Sequence, residues 1–277
     1  MRAHAAAAAA GVELRALRTV ADADAIGRVI VATWGEQPIG PEVVRALAES
    51  GNEPYGAFDG DELVAFVLGW AGVDQEGLHV HSHMLAAVPD RRHGGLGYAL
   101  KLAQRAQALE RGIHVARWTF DPLIARNAHL NLTKLGAVAD RFERDFYGAM
   151  GDALNRGDRT DRVTVRWHLD AEPGARPTPD TPEVTALLLA RTGTPDRPEP
   201  VTADVTMLGA VLVEVPAEYH DLRQRDPSLA GRWREATAEA LERCLTHGLV
   251  GSGFLRDRSA YVFVPGTTAT ASAVPLG

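Results

Sequence analysis

Three histidines alternate along one apolar stretch of the sequence, His79-Val80-His81-Ser82-His83. Successive side chains of a β-strand point to opposite faces, so the three imidazoles are expected on one face. Histidine, with an unperturbed pKa of about 6.5, can accept a proton at neutral pH. We therefore take His83 and His81 as candidate general bases. A metal site and purely structural hydrogen bonding are the alternatives; without an identifiable carboxylate partner, no metal is expected.

A glycine-rich loop follows this stretch. The strand-like run ends at Pro89, and Asp90-Arg91-Arg92-His93-Gly94-Gly95-Leu96-Gly97 comes next. The glycines allow close backbone approach, and the first amides of the following helix have no acceptor within it. The helix dipole adds partial positive charge at the same point. The sequence therefore predicts an anion cradle at a helix start, with a phosphate group as its guest.

The pattern Arg92-x-x-Gly95-x-Gly97 after an apolar strand resembles the acyl-CoA pyrophosphate loop of the GNAT superfamily of N-acyltransferases. A dinucleotide fingerprint is the main alternative, because Asp121 lies where a ribose-binding acid would sit. The third glycine of that fingerprint is missing. A purely structural turn is the remaining interpretation.

The resemblance implies acetyl-CoA or another acyl-CoA as co-substrate. The strand before the loop would splay from its neighbour and hold the pantetheine arm between them, and an amide near Leu85 or Ala86 would polarise the thioester carbonyl. Asparagines of the next helix would bond the pantetheine, or Asn127 would merely cap that helix. The implied cofactor-binding residues are Leu85, Ala86, Val88, Arg91, Arg92, His93, Gly94, Gly95, Leu96, Gly97, Tyr98, Asn127 and Asn131.

The resemblance also implies direct attack of an amine on the thioester in a ternary complex. Many members of the superfamily protonate the leaving sulfur with a tyrosine four residues before a helix-ending glycine. That glycine is Gly136 here, and the matching position is Leu132. The usual acid is therefore absent unless Tyr147, Thr133 or Tyr98 replaces it, and Tyr147 is our candidate. The departure also favours a second hypothesis, a non-catalytic acyl-CoA-binding regulatory module; a nucleotide-dependent oxidoreductase is a third.

Charged residues after the central strands suggest an acceptor site. Asp121 and Arg126 are the predicted substrate-binding residues, with Arg141 nearby in sequence. Arginine can hold a carboxylate through two parallel hydrogen bonds, so an amino acid or a similar carboxylated amine is a candidate acceptor. Amino-acid N-succinyl transfer is one activity to test, and the sequence does not choose between acetyl and succinyl donors.

Composition narrows the class of protein. The net charge of −7 argues against sequence-independent nucleic-acid binding, which needs a basic face. The sequence contains no run of about eighteen apolar residues, so it predicts no membrane span. The single cysteine, Cys244, fits a reducing compartment. We expect a cytoplasmic enzyme acting on a small-molecule amine, without nucleic acid or membrane as partner, as a monomer or a homodimer.

Alternating strand and helix patterns predict an α/β fold with a smaller C-terminal α/β extension. The resemblance implies that the first part is a GNAT-like mixed twisted sheet flanked by helices. We expect a disordered tail over 1–11, an acyl-CoA-binding domain over 12–170, a proline-rich linker over 171–200 and the extension over 201–277. After the glycine loop, a helix, a strand over 114–120 and a helix over 127–135 should follow. Strands are also expected over 142–147 and 163–169. A helix over 41–49 and a hairpin over 249–264 complete the expected elements.

Overall fold

The computed structural model of the protein describes residues 2–91, 94–174 and 184–266. Its strands are β1 Glu13–Ala16, β2 Tyr55–Asp59, β3 Glu62–Asp74, β4 Gly77–Ala87, β5 Val115–Phe120, β6 Val138–Glu143, β7 Arg162–His168, β8 Val184–Thr194, β9 Arg197–Thr202, β10 Ala210–Glu214, β11 Leu249–Leu255 and β12 Ala260–Pro265. In the described residues they form one sheet in the order β1-β2-β3-β4-β5-β7-β6-β11-β12-β10-β8-β9. The predicted mixed α/β fold is therefore confirmed.

Helices cover the faces of this sheet. They are α1 Arg2–Ala9, α2 Val20–Trp34, α3 Pro41–Glu49, α4 Leu96–Glu110, α5 Ala125–Ala128, α6 Tyr219–Arg225 and α7 Pro227–Thr246. A 3₁₀ turn spans Pro89–Arg91, and a π-helical segment, His129–Lys134, continues α5. The order of helix, strand and helix that was expected after the glycine loop is confirmed.

The first strands carry a helical layer on each face. Alternation along β3 sends Phe66 and Leu68 into a core with Ile26 and Ile30 of α2. Val67, between them, packs on the opposite face in a cluster that contains residues of α1 and α4. The period of two in β3 thus supplies both layers, which is why the strand is apolar at successive positions rather than at every second one.

The predicted disordered tail is wrong for the part that the structure describes. Arg2–Ala9 is helix α1, and it packs against α4, with Ala7 buried in the cluster that includes Ala99 and Leu100. Alanine is the strongest helix former, and its small side chain lets two helices approach closely. The alanine run is therefore a packed element of the fold.

Two further boundaries are corrected by the sheet. Within the predicted linker, β8 occupies Val184–Thr194 and β9 begins at Arg197, while residues 175–183 lie outside the described part. The strand expected over 142–147 is β6, Val138–Glu143, because the chain turns at Asp145, where φ is +51°. The extension continues the sheet of the first part directly, since β11 pairs with β6 at Gly251 and Ala139.

A buried ion-pair cluster ties α7 of the extension to the end of β5. Arg234 donates to both carboxylate oxygens of Asp121, at 2.8 and 2.9 Å, and to Asp158 at 2.5 Å. Burial alone would raise the pKa of Asp158, but the hydrogen bonds and charge of Arg234 outweigh it, and the pKa is lowered. The Arg234 side chain is 4% exposed, so its loss would leave two carboxylates poorly compensated inside the protein.

We expect Arg234→Met to lower the free energy of unfolding by about 3–5 kcal/mol, because it removes one partner from a buried charge cluster. Arg232→Met is the matched control, since the Arg232 side chain is 52% exposed and pairs with Glu199. That change should cost at most about 1 kcal/mol. Urea unfolding of both variants measures the difference, and equal small losses would show that the cluster does not hold the extension in place.

Candidate functional site

The central parallel strands part after two residue pairs. β4 and β5 pair only at Val80 with Ala116 and at His81 with Arg117. Beyond these pairs β5 keeps its other neighbour, β7, as far as Phe120. A second parallel pair in the sheet, β8 and β10, has partners for four successive residues from Ala210. An open wedge therefore lies between β4 and β5 on the carboxyl side of His81 and Arg117, as the resemblance implies.

An irregularity of β4 falls beside this wedge. Met84 pairs with Leu68 of β3, and Ser82 pairs with the next residue, Gly69, so His83 has no partner in β3. This is a β-bulge, which inserts one residue and re-aims the side chains around it. His83 and Met84 consequently lie on the same face, where Met84 packs in the α2 cluster.

The two candidate bases are brought together by a tryptophan. The rings of His81 and His83 lie 4.9 and 4.8 Å from the ring of Trp70, and 5.6 Å from each other. Burial, and then the charges of neighbouring histidines and of Lys101, lower the pKa of His81 to about 4. Burial also lowers the pKa of His83. Both imidazoles are therefore neutral at pH 7 and able to accept a proton.

The third histidine of the pattern does not join this cluster. His79 is buried, and its Nδ1 lies 3.2 Å from the carbonyl oxygen of Gly77 in the β3–β4 hairpin. It therefore takes the structural role that the sequence left open for these histidines. Among the described residues, no three histidine, cysteine or carboxylate side chains are grouped so that they could hold a metal ion.

A buried lysine occupies the apex of the wedge on its α4 face. Lys101 Nζ donates to Ser82 Oγ at 2.8 Å and lies 3.5 Å from the centre of the Trp118 ring. Ser82 and Trp118 each come one residue after the last β4–β5 pair. The side chain is 2% exposed, and burial lowers its pKa well below the usual value. One amine thus bridges both strands where they begin to part.

The glycine loop leads from β4 to α4 as predicted. Gly95 caps α4 in the left-handed conformation, with φ of +82°, which favours glycine. A Cβ atom on Gly97 would lie 3.4 Å from Leu85 of β4 and from Leu130 of the π-helical segment, so this glycine lets the helix start approach both closely. The amide groups of the first turn, including those of Leu96 and Tyr98, have no acceptor within the helix.

The structure describes only some of the charged residues of this loop. Arg92 and His93 lie outside the described residues, so their predicted contacts stay predictions. The Arg91 guanidinium forms an ion pair with Asp59 at the β2–β3 turn, and Gly94 is exposed with open space around it. Arg91 would have to leave Asp59, or share itself, to contact a phosphate.

The two edges of the wedge carry the remaining predicted cofactor residues. On the β4 side, Ala86 is buried and the amide of Val88 donates to Val64 of β3 at 2.9 Å. On the other side, Asn131 is buried in the π-helical segment, and Asn127 lies half-buried in α5. The predicted residues thus belong to elements that face each other across the opening.

The residues considered for the acid position and for acceptor binding lie in different surroundings. Leu132 is buried in the main core, while Tyr147 is exposed with its hydroxyl 3.3 Å from Thr119 of β5. Asp121 has both carboxylate oxygens engaged by Arg234 and also accepts from the amide of Leu123. Arg126 is exposed on α5. Asp121 therefore has a structural partner, and substrate contacts of Asp121 and Arg126 stay predictions.

Three residues at the site were missed in the sequence. Lys101 lies between two leucines of α4, and Arg117 and Arg166 lie inside predicted strands. A charged residue inside an otherwise apolar element was the only available signal. Which strand neighbours they meet depends on β7 pairing with β5, and the sequence does not show that order.

No helix in the described part of the chain has the length and apolarity needed to cross a bilayer. No family model and no curated protein sequence matches the chain.

Solved structures similar to the chain include the ribosomal-protein-S18-alanine N-acetyltransferase from Escherichia coli, with 16% identity over 60% of this chain and 97% of that one, at a TM-score of 0.45. An acetyltransferase from Bacillus subtilis in complex with CoA matches with 18% identity over 57% and 98%, also at 0.45. A GNAT family N-acetyltransferase from Escherichia coli in complex with CoA matches with 21% identity over 42% and 66%, at 0.36.

The buried lysine predicts a pH dependence of stability. Because the folded pKa of Lys101 is lowered, the unfolded chain binds more protons between that pKa and about 10.4, and stability rises with pH in this window. Relative to Lys101→Met, the wild type should therefore gain free energy of unfolding from about pH 7 to about pH 9.5. Guanidinium titrations at both pH values measure this.

Lys134→Met, at an exposed lysine, is the matched control and should show no such trend. A difference between wild type and Lys101→Met that stays constant, or falls, as the pH rises would mean that Lys101 is charged in the folded protein.

Proposed function

We propose that this protein is an acyl-CoA-dependent N-acyltransferase that moves an acetyl or another short acyl group to the amine of a small molecule. The main support for this proposal is the wedge between β4 and β5, which opens after two residue pairs and leads to a glycine-capped helix start. A pantetheine arm is long, narrow and amide-bearing, and it needs backbone partners. A strand that has parted from its neighbour supplies them.

The glycine loop would hold the pyrophosphate. The first turn of α4 presents unpaired amides and the positive end of a 15-residue helix dipole, which is a ready anion site. Gly94 and Gly95 leave the approach to these amides open. With the pyrophosphate there, the pantetheine would run along β4 towards the bulge at His83.

The chain's own residues would then handle the acyl group and the proton. An amide of β4 near Leu85 or Ala86 would donate to the thioester carbonyl oxygen as negative charge develops on it. His83, neutral at pH 7, would accept the proton that the attacking amine must lose, directly or through His81 or water. No covalent intermediate is required, and Tyr147 beside Thr119 would be available to protonate the sulfur.

A non-catalytic acyl-CoA-binding module is the second candidate, and the burial of Leu132 favours it. This side chain lies in the core at the position where the resembling enzymes carry their acid. Such a module would bind acyl-CoA but release no thiol with any amine. The two candidates therefore differ in turnover and agree in binding.

Gly94→Glu should weaken acyl-CoA binding at least about tenfold, because it places a negative charge and a larger side chain in the cradle. Gly94 has no left-handed φ, and a Cβ atom added there would meet no other atom within 4 Å, so the fold should tolerate the change. Gly231→Glu on α7 adds the same charge in open space and serves as control.

Calorimetric titrations with CoA, acetyl-CoA, succinyl-CoA and NADH compare these two variants with the wild type. Binding of NADH alone would assign the loop to a dinucleotide enzyme. Equal acyl-CoA affinity in both variants would mean that the pyrophosphate does not bind at the loop.

His83→Ala should lower kcat by about 10²-fold or more with unchanged acyl-CoA affinity, since a general base contributes that much. His114→Ala, at an exposed histidine paired with Asp170, is the control. In the wild type, kcat/KM should fall on the acid side around a pKa lower than about 6.5, as a base with a lowered pKa requires. Thiol release measures both, and normal turnover of His83→Ala would remove the base role.

A further inference from the structure

Two arginines lie side by side on the face of the sheet that carries the candidate bases. Arg117 of β5 pairs in register with Arg166 of β7 on one side and with His81 of β4 on the other. Ala116 and Trp118, the strand neighbours of Arg117, are buried in the opposite core. The row from His81 to Arg166 therefore crosses three strands at the apex of the wedge.

An acidic residue of the β3–β4 hairpin already contacts this arginine pair. Glu76 Oε2 accepts from Arg117 at 2.8 Å and from Arg166 at 2.6 Å, and Glu76 Oε1 accepts from Arg141. Asp74 and Asp140 add ion pairs at 2.5 Å to Arg117 and at 3.1 Å to Arg166. One carboxylate on the hairpin thus holds three guanidinium groups.

The arginine pair nonetheless keeps unused donors. The Nε–H groups of Arg117 and Arg166 are both buried, and neither has a hydrogen-bond acceptor among the described residues. Arg117 as a residue is only 8% exposed. Buried guanidinium N–H groups without an acceptor are costly, and an acceptor supplied by a ligand would remove the cost. The group that best fits paired guanidiniums is a carboxylate.

We propose that Arg117 and Arg166 form a subsite for a substrate carboxylate, and that this carboxylate displaces Glu76 from the pair when it binds. The subsite rests on the proposed function, because it places the carboxylate beside the wedge and the two candidate bases. The carboxylate belongs either to the acceptor amine or to a dicarboxylic acyl group of the donor. Arg126 and Asp121, which the sequence favoured, are not part of it.

If the substrate carboxylate displaces Glu76, substitutions of Glu76 and of Arg166 should change the affinity for that substrate in opposite directions. Glu76→Gln removes the competing charge and should tighten binding of a carboxylated substrate. Arg166→Gln removes a donor and should weaken it. If the ion-pair cluster were purely structural, both changes should shift the substrate affinity in the same direction, since both break the same contacts.

The test uses the full chain and does not require the acceptor to be identified first. Calorimetry with the protein saturated by CoA measures binding of the standard amino acids and of their carboxamides. Separate titrations compare acetyl-CoA with succinyl-CoA. Arg258→Gln, at an ion-paired arginine next to Glu214 on the extension, is the matched control, and thermal unfolding confirms that each variant is folded.

If the acceptor carries the carboxylate, at least one amino acid should bind about tenfold or more tightly than its carboxamide. If the donor carries it, succinyl-CoA should exceed acetyl-CoA by a similar factor. In either case Arg166→Gln should abolish the preference, Glu76→Gln should increase it about threefold or more, and Arg258→Gln should leave it unchanged.

Absence of any preference for carboxylates, or a shift in the same direction for Glu76→Gln and Arg166→Gln, would overturn the subsite. Acetyl-CoA affinity separates this result from failure of the proposed function. If acetyl-CoA binds normally and no carboxylate is preferred, only the subsite is wrong. If no acyl-CoA binds to the wild type, the proposed function itself is wrong.

Discussion

β4 separates from β5 after two residue pairs, so the two strands do not pair with each other beyond His81 and Arg117. Backbone groups inside a sheet need partners, so strands that part must be compensated or must face a ligand. Here Lys101 bridges Ser82 and Trp118 at the apex, α4 packs on one face, and a bulge leaves His83 without a partner in β3. The strand on one side of this opening, β4, leads into the glycine loop.

Two ion-pair clusters lie on elements that border this opening. One cluster, centred on Arg234, fixes the end of β5 from the C-terminal extension. A second, centred on Glu76, lies on the hairpin that leads into β4. Both clusters contact elements that border the wedge, and the first links the extension to the end of β5. In the second, the Nε–H groups of Arg117 and Arg166 have no hydrogen-bond acceptor among the described residues.

The sequence predicted where helices and strands lie along the chain better than which strands are neighbours in the sheet. Periodicity located α3 and the outer ends of the last hairpin almost to the residue, because these elements have strong apolar patterns and clear turn residues. It failed for the alanine run of α1, whose stability comes from packing against α4. The glycine loop and the histidines were recognisable because their chemistry is local. Lys101, Arg117 and Arg166 were not, since their roles depend on which strands are neighbours in the sheet.

We propose that the wedge holds the pantetheine arm of an acyl-CoA. A crystal structure of the protein grown with CoA would show where the cofactor binds. We expect the pantetheine between β4 and β5, its sulfur near His83, and the pyrophosphate at the first turn of α4. CoA bound elsewhere on the protein, with β4 and β5 free of ligand, would contradict it.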